Sequence, residues 1–270
     1  MHKTILITGA TDGIGLATAK TLTKLGHRVL LHGRSATKLA QAQKAVAQAA
    51  NKSDSAIEVF LADLSTMDAV RALVTAVLAK HIHLDVLINN AGIFKTTQPI
   101  TPDGFDVRFA VNTLAPYLLT QQLLPIIPRQ GRVINLSSAA QAPVNLEALV
   151  GTVKIADDFT AYAQSKLAIT AWSRQLATTL ASAGPIIIAV NPGSMLGSKM
   201  VQEGFGVQGS DLNIGADILC RAALADEFLD ATGKYFDNDA KCFAPPHPDA
   251  LDSQKSNAIV ETIEHLLNPS

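Results

Sequence analysis

Tyr162 and Lys166 stand four residues apart in Tyr-Ala-Gln-Ser-Lys, a spacing that puts both side chains on one face of a helix. A phenol has an ordinary pKa of about 10, and an ammonium about 4 Å away at an effective dielectric of about 20 attracts the phenolate by about 4 kcal/mol. At about 1.4 kcal/mol per pH unit, that attraction lowers a phenol by roughly three units, enough to serve as general acid and base near neutrality. Taken alone, such a pair is equally well an exposed helical face. Its weight comes from Thr8-Gly9-Ala10-Thr11-Asp12-Gly13-Ile14-Gly15 near the start of the chain. Glycines at these positions allow a tight turn, close approach of a pyrophosphate to the backbone and close packing of helix on sheet. A helix opening at Gly13 turns free N–H groups and its positive end toward phosphate. The order Gly-x-x-x-Gly-x-Gly differs from the common Gly-x-Gly-x-x-Gly loop, and no Gly-Lys-Ser/Thr follows it.

Three strand ends add to this nucleotide half. His32-Gly33-Arg34 ends the second strand, where an NAD-preferring domain places Asp or Glu and an arginine accommodates a 2′-phosphate. Gly33 leaves the acid's place empty, Arg34 offers a guanidinium fork and Lys38 lies one helical turn further on. The reading is NADP(H) rather than NAD(H); Asp12 in the glycine loop speaks mildly against it. Asp63-Leu64 can meet an adenine, or Asp63 and Ser65 can cap the next helix. Asn89-Asn90-Ala91-Gly92 ends the fourth strand, at the sheet edge where open α/β folds bind ligands, or satisfies buried backbone groups.

These residues need a scaffold, and the chain reads as one. Short Val/Ile/Leu runs predict strands at Thr4–Thr8, Arg28–His32, Ile57–Leu61, Val86–Asn89, Arg132–Leu136, Ile186–Asn191 and Lys234–Phe236. Continuous apolar runs mark strands covered on both faces. Amphipathic stretches between them predict helices at Gly13–Leu25, Ser35–Ala50, Met67–Lys80, Asp103–Leu124 and Phe159–Ala183, with weaker ones at Leu212–Ala225 and Asp249–Leu267. The alternation predicts an α/β, doubly wound parallel sheet of the Rossmann-like kind, in one domain over 1–270. Substrate-side insertions fall near 140–160 and 194–211.

The chain has 270 residues, 48% of them hydrophobic, and a formal net charge of −1 without runs of one sign. Nothing in this pattern suggests a nucleic-acid or polybasic membrane partner. Cys220 and Cys242 fit neither metal nor redox spacing. No signal-peptide pattern or membrane-length apolar run is present, so a cytoplasmic protein is expected. His81 and His83 lack a partner at metal spacing, and no metal is expected.

Seven motifs in order make the chain resemble the short-chain dehydrogenase/reductase family, single-domain type. They are Thr8-Gly9-x-x-x-Gly13-x-Gly15, Asp63, Asn89-Asn90-Ala91-Gly92, Asn112, Asn135-Leu136-Ser137-Ser138, Tyr162-x-x-x-Lys166 and Asn191-Pro192-Gly193. The resemblance implies hydride transfer between a nicotinamide and a carbonyl or alcohol carbon. It implies that Ser138, rather than Ser137, steadies the substrate oxygen and that Tyr162 donates or accepts the proton. Lys166 would bind the nicotinamide ribose and lower the tyrosine pKa, and Asn112 would hold a water in a proton relay. By the same resemblance Pro192, Gly193 and Met195 join Gly9 to Gly15, Asp63, Leu64, Asn90, Ala91 and Gly92 around the cofactor. The family's threonine four residues past Gly193 is Gly197 here, followed by Ser198.

Twenty-three residues separate Ser138 from Tyr162, a long interval that resembles retinol-dehydrogenase-like members and implies a roomy apolar pocket. Ser194–Ser210 mixes Gly197, Gly204, Gly206 and Gly209 with Met195, Leu196, Met200, Val201 and Phe205, the composition of a mobile lid. In relatives the helices matching 103–124 and 159–183 pair across a two-fold axis, which implies a homodimer or homotetramer. A redox-inactive nucleotide-sensing or interaction protein on the same fold is the alternative; it has no need of a tuned phenol. A nucleotide-sugar epimerase or dehydratase would carry Gly-x-x-Gly-x-x-Gly and a longer substrate domain, both absent here.

Overall fold

The computed structural model describes residues 2–268. β1 (Thr4–Ile7), β2 (Arg28–Gly33), β3 (Glu58–Leu61), β4 (Val86–Asn89), β5 (Arg132–Leu136), β6 (Ile186–Asn191), β7 (Tyr235–Asp237) and β8 (Cys242–Ala244) form one sheet in the order β3-β2-β1-β4-β5-β6-β7-β8. Every pairing is parallel except β7 with β8. Ile5 of β1 lies opposite both Val29 and Val86, so the first strand of the chain is central.

Side chains alternate across the strands, and both sets are buried. Leu6, Leu30, Leu87, Val133 and Ile187 join one apolar cluster, while Ile5, Ile7, Val29, Leu31, Val86, Ile88, Ile134 and Ile188 join the other. This double burial explains why the strands read as unbroken apolar runs. On one face α1 (Gly13–Lys24) packs against α2 (Ala36–Ala49) and α9 (Leu212–Leu224). On the other, α3 (Met67–Leu78) meets α5 (Ala115–Leu123), and α7 (Asp158–Leu180) packs against α5 and α11 (Ser253–Leu267).

The helix expected over 103–124 begins later, at α4 (Val107–Phe109), because Asp106 caps it by accepting from Arg108 N–H at 2.9 Å. Asp103 is used elsewhere: its carboxylate accepts from Met67 N–H at 2.8 Å and caps α3, a task sequence reading offers to Asp63 or Ser65. A π-helical turn, Ala110–Leu114, joins α4 to α5. Short helices α6 (Leu146–Leu149), α8 (Lys199–Phe205) and α10 (Pro248–Leu251) complete the set.

The apolar surplus of α5 and α7, expected to meet a second subunit, is covered within the chain. Ile259, Ile263 and Leu267 of α11 are buried in the same cluster as Trp172 and Leu176 of α7. Tyr117 donates to the Glu264 carboxylate at 2.7 Å, and Arg174 Nε donates to Ala250 O at 3.1 Å.

Candidate active site

A cleft of about 300 Å³ opens over the C-terminal ends of β1 and β4. There the chain, having run outward through β2 and β3, returns to the other side of β1, the place where open α/β sheets take ligands. The glycine turn forms one wall. A Cβ on Gly15 would lie 2.4 Å from both Asn90 Nδ2 and Gly9 O, so no side chain fits where α1 begins. Asn90 Nδ2 donates to Thr8 O at 2.8 Å and Gly9 O at 3.0 Å, holding the turn to the end of β4.

His32 fastens the turn from the other side. Its Nδ1 accepts from Gly9 N–H at 3.2 Å and its Nε2 faces Ala62 O at 3.1 Å. That pair of partners selects the neutral ring with the proton on Nε2. Burial agrees, pulling the His32 pKa down to about 4. Sequence reading gives His32 no role. The signal was a histidine in an apolar strand, which spacing alone cannot separate from an ordinary core residue.

Gly9, Thr11, Asp12, Gly13, Ile14, Gly15, Arg34, Asp63, Leu64, Asn90, Ala91, Gly92, Tyr162, Lys166 and Pro192 all line the cleft. Asp12 accepts from Gly13 N–H at 2.7 Å as the cap of α1. Asp63 both faces the cleft and accepts from Ser65 N–H at 3.0 Å. Gly33 has a different reason from the one expected: a Cβ there would meet the Thr11 methyl at 2.3 Å. Either way, no acid fits at that strand end.

Three expected cofactor contacts, Lys38, Gly193 and Met195, are not among the cleft's lining residues. Lys38 is exposed in the first turn of α2, where its backbone N–H bonds the capping Ser35 hydroxyl at 3.4 Å. Met195 has φ +53 and is 40% exposed, turned out of the cleft, and Gly193 serves the turn with φ +121. Met200, Ser198, Lys199, Ile93, Val111 and Leu136 line the cleft instead. The first three come from the 194–210 segment, so composition locates the segment but not the residues.

At the inner end, Tyr162 and Lys166 lie one turn apart on α7, which starts where Asp157 caps it by accepting from Thr160 N–H at 2.7 Å. Lys166 is 4% exposed, and its ammonium nitrogen donates to Leu136 O at 2.7 Å. It stands 5.6 Å from the Tyr162 ring centroid. Burial draws the amine down to about 7 and pushes the phenol up from its ordinary value, opposed only by a hydrogen bond with the Ser138 hydroxyl. The expected lowering of the Tyr162 pKa by Lys166 is therefore not found. Desolvation outweighs the cation, which near neutrality is itself close to losing its proton.

Ser138 accepts from Ala140 N–H at 3.1 Å and meets the phenol. Ser137 is spent on Thr170 Oγ1 at 2.6 Å and Lys166 O at 3.3 Å. Asn112, in the π turn, is fully buried. Its Oδ1 accepts from Ile93 N–H at 2.9 Å, and its Nδ2 donates to Ile93 O at 3.0 Å and Ser165 Oγ at 2.9 Å. The side chain thus ties the loop after β4 to α7. Among the described residues, no cluster of His, Cys, Asp or Glu suits a metal.

The residues present suit a dinucleotide. The first turn of α1 offers N–H groups without helical acceptors. The bare Gly92 surface leaves a space where a Cβ would lie 3.5 Å from Asn112 Oδ1, 3.6 Å from Met200 Cε and 3.7 Å from Lys166 Nζ.

Of the two segments expected on the substrate side, 194–210 contributes to the cleft lining and 140–160 does not. Over 140–160, Asn145 accepts from Glu147 and Ala148 N–H to cap α6, and its own N–H bonds Gln164 Oε1 at 3.0 Å. The 194–210 segment is pinched at its base. Gly197 N–H donates to Ser210 O at 2.7 Å and Ser210 N–H to Met195 O at 2.8 Å. A Cβ on Gly209 would meet Gly197 backbone at 2.7 Å, so these two glycines close a neck rather than loosen a hinge. The Phe205 side chain, expected in this lid, lies outside what the structure describes.

The family model for short chain dehydrogenases matches residues 3–206. The chain belongs to the short-chain dehydrogenase family. It is an oxidoreductase of that family. Mouse retinol dehydrogenase 13 is 30% identical over 275 residues, covering 95% of this chain and 81% of that protein. A crystal structure of a protein from Mycobacterium paratuberculosis superposes on this short-chain dehydrogenase with a TM-score of 0.79 at 28% identity, over 98% of this chain and 93% of the other. A short chain dehydrogenase from Escherichia coli CFT073, complexed with NADPH, gives a TM-score of 0.69 at 27% identity, over 87% and 96%.

Proposed function

We propose that this short-chain dehydrogenase is an NADP(H)-dependent alcohol dehydrogenase or carbonyl reductase for a small, apolar substrate. The observation that carries the reading is one continuous cleft with Arg34 at its outer end and Tyr162 and Lys166 at its inner end. The arginine is suited to a 2′-phosphate, and the collision of any side chain at position 33 with Thr11 keeps a competing acid away. NADPH in the Escherichia coli relative and retinol in the name of the mouse one support the cofactor and the apolar alcohol.

When bound, the nicotinamide supplies or takes up the hydride. The chain does the rest. Tyr162, protonated at neutral pH, gives its proton to the substrate oxygen in reduction and takes it back in oxidation. Ser138, already bonded to the phenol, donates to the same oxygen as charge develops there. Lys166 holds the nicotinamide ribose, and the negative charge of a bound dinucleotide favours its ammonium form. Asn112 fixes the loop that carries Gly92. Every residue comes from one chain, so the reading does not require the homodimer or homotetramer expected from the sequence.

Purified protein, tested with NADPH and NADH against aldehydes, ketones, quinones and secondary alcohols, should oxidise NADPH with at least one carbonyl and much less NADH. Preference for NADH overturns the cofactor; no turnover with any substrate overturns the activity.

A further inference from the structure

A strap crosses the cleft. Just beyond the neck at Gly197, Ser198 and Met200 reach two different turns. A Cβ on Gly13 would lie 3.7 Å from Ser198 Cβ, and one on Gly92 would lie 3.6 Å from Met200 Cε. Gly13 follows β1 and Gly92 follows β4, so this short piece of the segment after β6 spans from one wall to the other. Lys199, between them in sequence, lines the cleft as well. The root of the strap is fixed from the turn before β8, where Asp239 accepts from Ser194 N–H at 2.8 Å and from Asn191 Nδ2 at 2.9 Å.

The middle of the cleft is short of positive charge. Arg34 lies at the outer end, and Lys166 at the inner end bonds Leu136 O. His32 is held neutral against the glycine turn. That turn itself carries an acid: Asp12 lines the cleft, and its carboxylate takes Gly13 N–H at 2.7 Å. One donor of the turn is thereby occupied, and the carboxylate repels a pyrophosphate. Among the described residues that line the cleft, Lys199 is the remaining basic side chain. Its partner holds it loosely. Glu203 Oε1 is 3.3 Å away, with the two side chains 59% and 60% exposed, and an exposed pair of this kind is readily exchanged for a group of higher charge.

We propose, building on the reading of the cleft as an NADP(H) site, that Lys199 leaves Glu203 when a dinucleotide binds and pairs with its pyrophosphate, so that the cofactor itself pins the strap. The flexible lysine stem lets the ammonium change partner without displacing α8. Ser198 against Gly13 keeps the residue beside it near the glycine turn, where the pyrophosphate belongs. Lys199 thus recognises the part that NADPH and NADH share, whereas Arg34 addresses the 2′-phosphate that only NADPH has. Release of the cofactor returns the lysine to Glu203 and frees the strap.

Fluorescence titration of wild type, Lys199→Gln, Lys199→Arg and Glu203→Gln with NADPH and with NADH tests this division. Lys199→Gln should weaken both dinucleotides by about tenfold, the size of one charge-assisted contact. Lys199→Arg keeps the charge and should stay within about threefold of wild type, while Glu203→Gln should tighten both by about twofold because the lysine has no carboxylate to leave. Raising salt from about 0.05 M to about 0.5 M should weaken wild type more than Lys199→Gln, since screening acts on the charge that the variant lacks.

Hydrogen exchange reads the strap directly. NADPH should slow exchange across 198–205 in wild type and Lys199→Arg, and much less in Lys199→Gln. Both side chains are exposed, so neither substitution disturbs the core. Unchanged affinity of Lys199→Gln for both cofactors, a loss confined to NADPH, or exchange that NADPH slows equally without the lysine overturns the pyrophosphate contact and leaves the NADP(H) reading intact. Wild type that binds neither dinucleotide overturns that reading, and the contact with it.

Discussion

At the Arg34 end of the cleft, strand ends are locked to one another by polar bonds through His32, Asn90 and Thr8, whereas beyond Tyr162 the 194–210 segment rests on the Phe94 ring and is fastened at its neck. The first construction suits a partner whose shape never varies, since misplacing a pyrophosphate wastes the N–H groups aimed at it. The second suits a partner that must enter and leave while water is kept from the reacting centre. Tyr162 stands at the boundary, with Lys166 and Ser138 on one side and Phe94 on the other.

The largest expected effect lies at that boundary. Tyr162→Phe removes only the hydroxyl and should lower kcat by about 10²–10⁴-fold, with NADPH affinity unchanged in a fluorescence titration. Near-normal turnover would place the proton donor elsewhere.

Lys166 separates function from stability. Its amine titrates near 7 in the folded chain against a reference of 10.5. Between those values the unfolded chain keeps a proton that the folded chain has lost, so stability rises with pH across that window. Below about 7 the full cost of burying an ammonium is present. Lys166→Met should therefore stabilise the ligand-free protein by up to about 5 kcal/mol at pH 6, with the gain fading as pH climbs toward 10.5, while cofactor affinity and turnover fall. Urea melts at pH 6 and pH 9 decide it; equal differences at both would show that the buried amine is not the cause.

A smaller effect tests the rigid end. His32→Leu leaves Gly9 N–H and Ala62 O without their ring partner and should cost about 2 kcal/mol in a urea melt. NADPH should also bind more weakly. If the melt were unchanged, the glycine turn would owe its shape to Asn90 alone. Smallest is Arg34→Ala, which should raise the KM for NADPH about tenfold, the worth of one charge-assisted contact, and leave the KM for NADH within about twofold. A parallel loss with both cofactors would deny Arg34 its 2′-phosphate.

What could be read beforehand follows the same division. β1, β2, β4, β5 and β6 were legible because burial on both faces writes apolar runs. β8 was not: three residues, partly exposed, follow a turn whose Asp239 is occupied with Asn191 and Ser194. The glycine turn and Tyr162–Lys166 were legible because their chemistry is local in sequence. His32, Phe94, Ser198 and Met200 become neighbours of the cleft only when separate loops meet above the sheet. Lys38 and Met195 sat at plausible positions, but a helix start and a left-handed backbone angle turned them outward. The phenol's titration was misjudged for another reason. Spacing gives the distance to a cation and says nothing of the water that both groups lose.

The central place of β1 also sets an order of events during synthesis. β1 can pair with β2 once residue 33 is made, yet its other edge stays open until Val86–Asn89 follows. Only then can Asn90 reach Thr8 and Gly9 and close the turn. A nascent chain stalled between these points carries an unpaired hydrophobic strand edge, the kind of surface that chaperones hold and that aggregates seed upon.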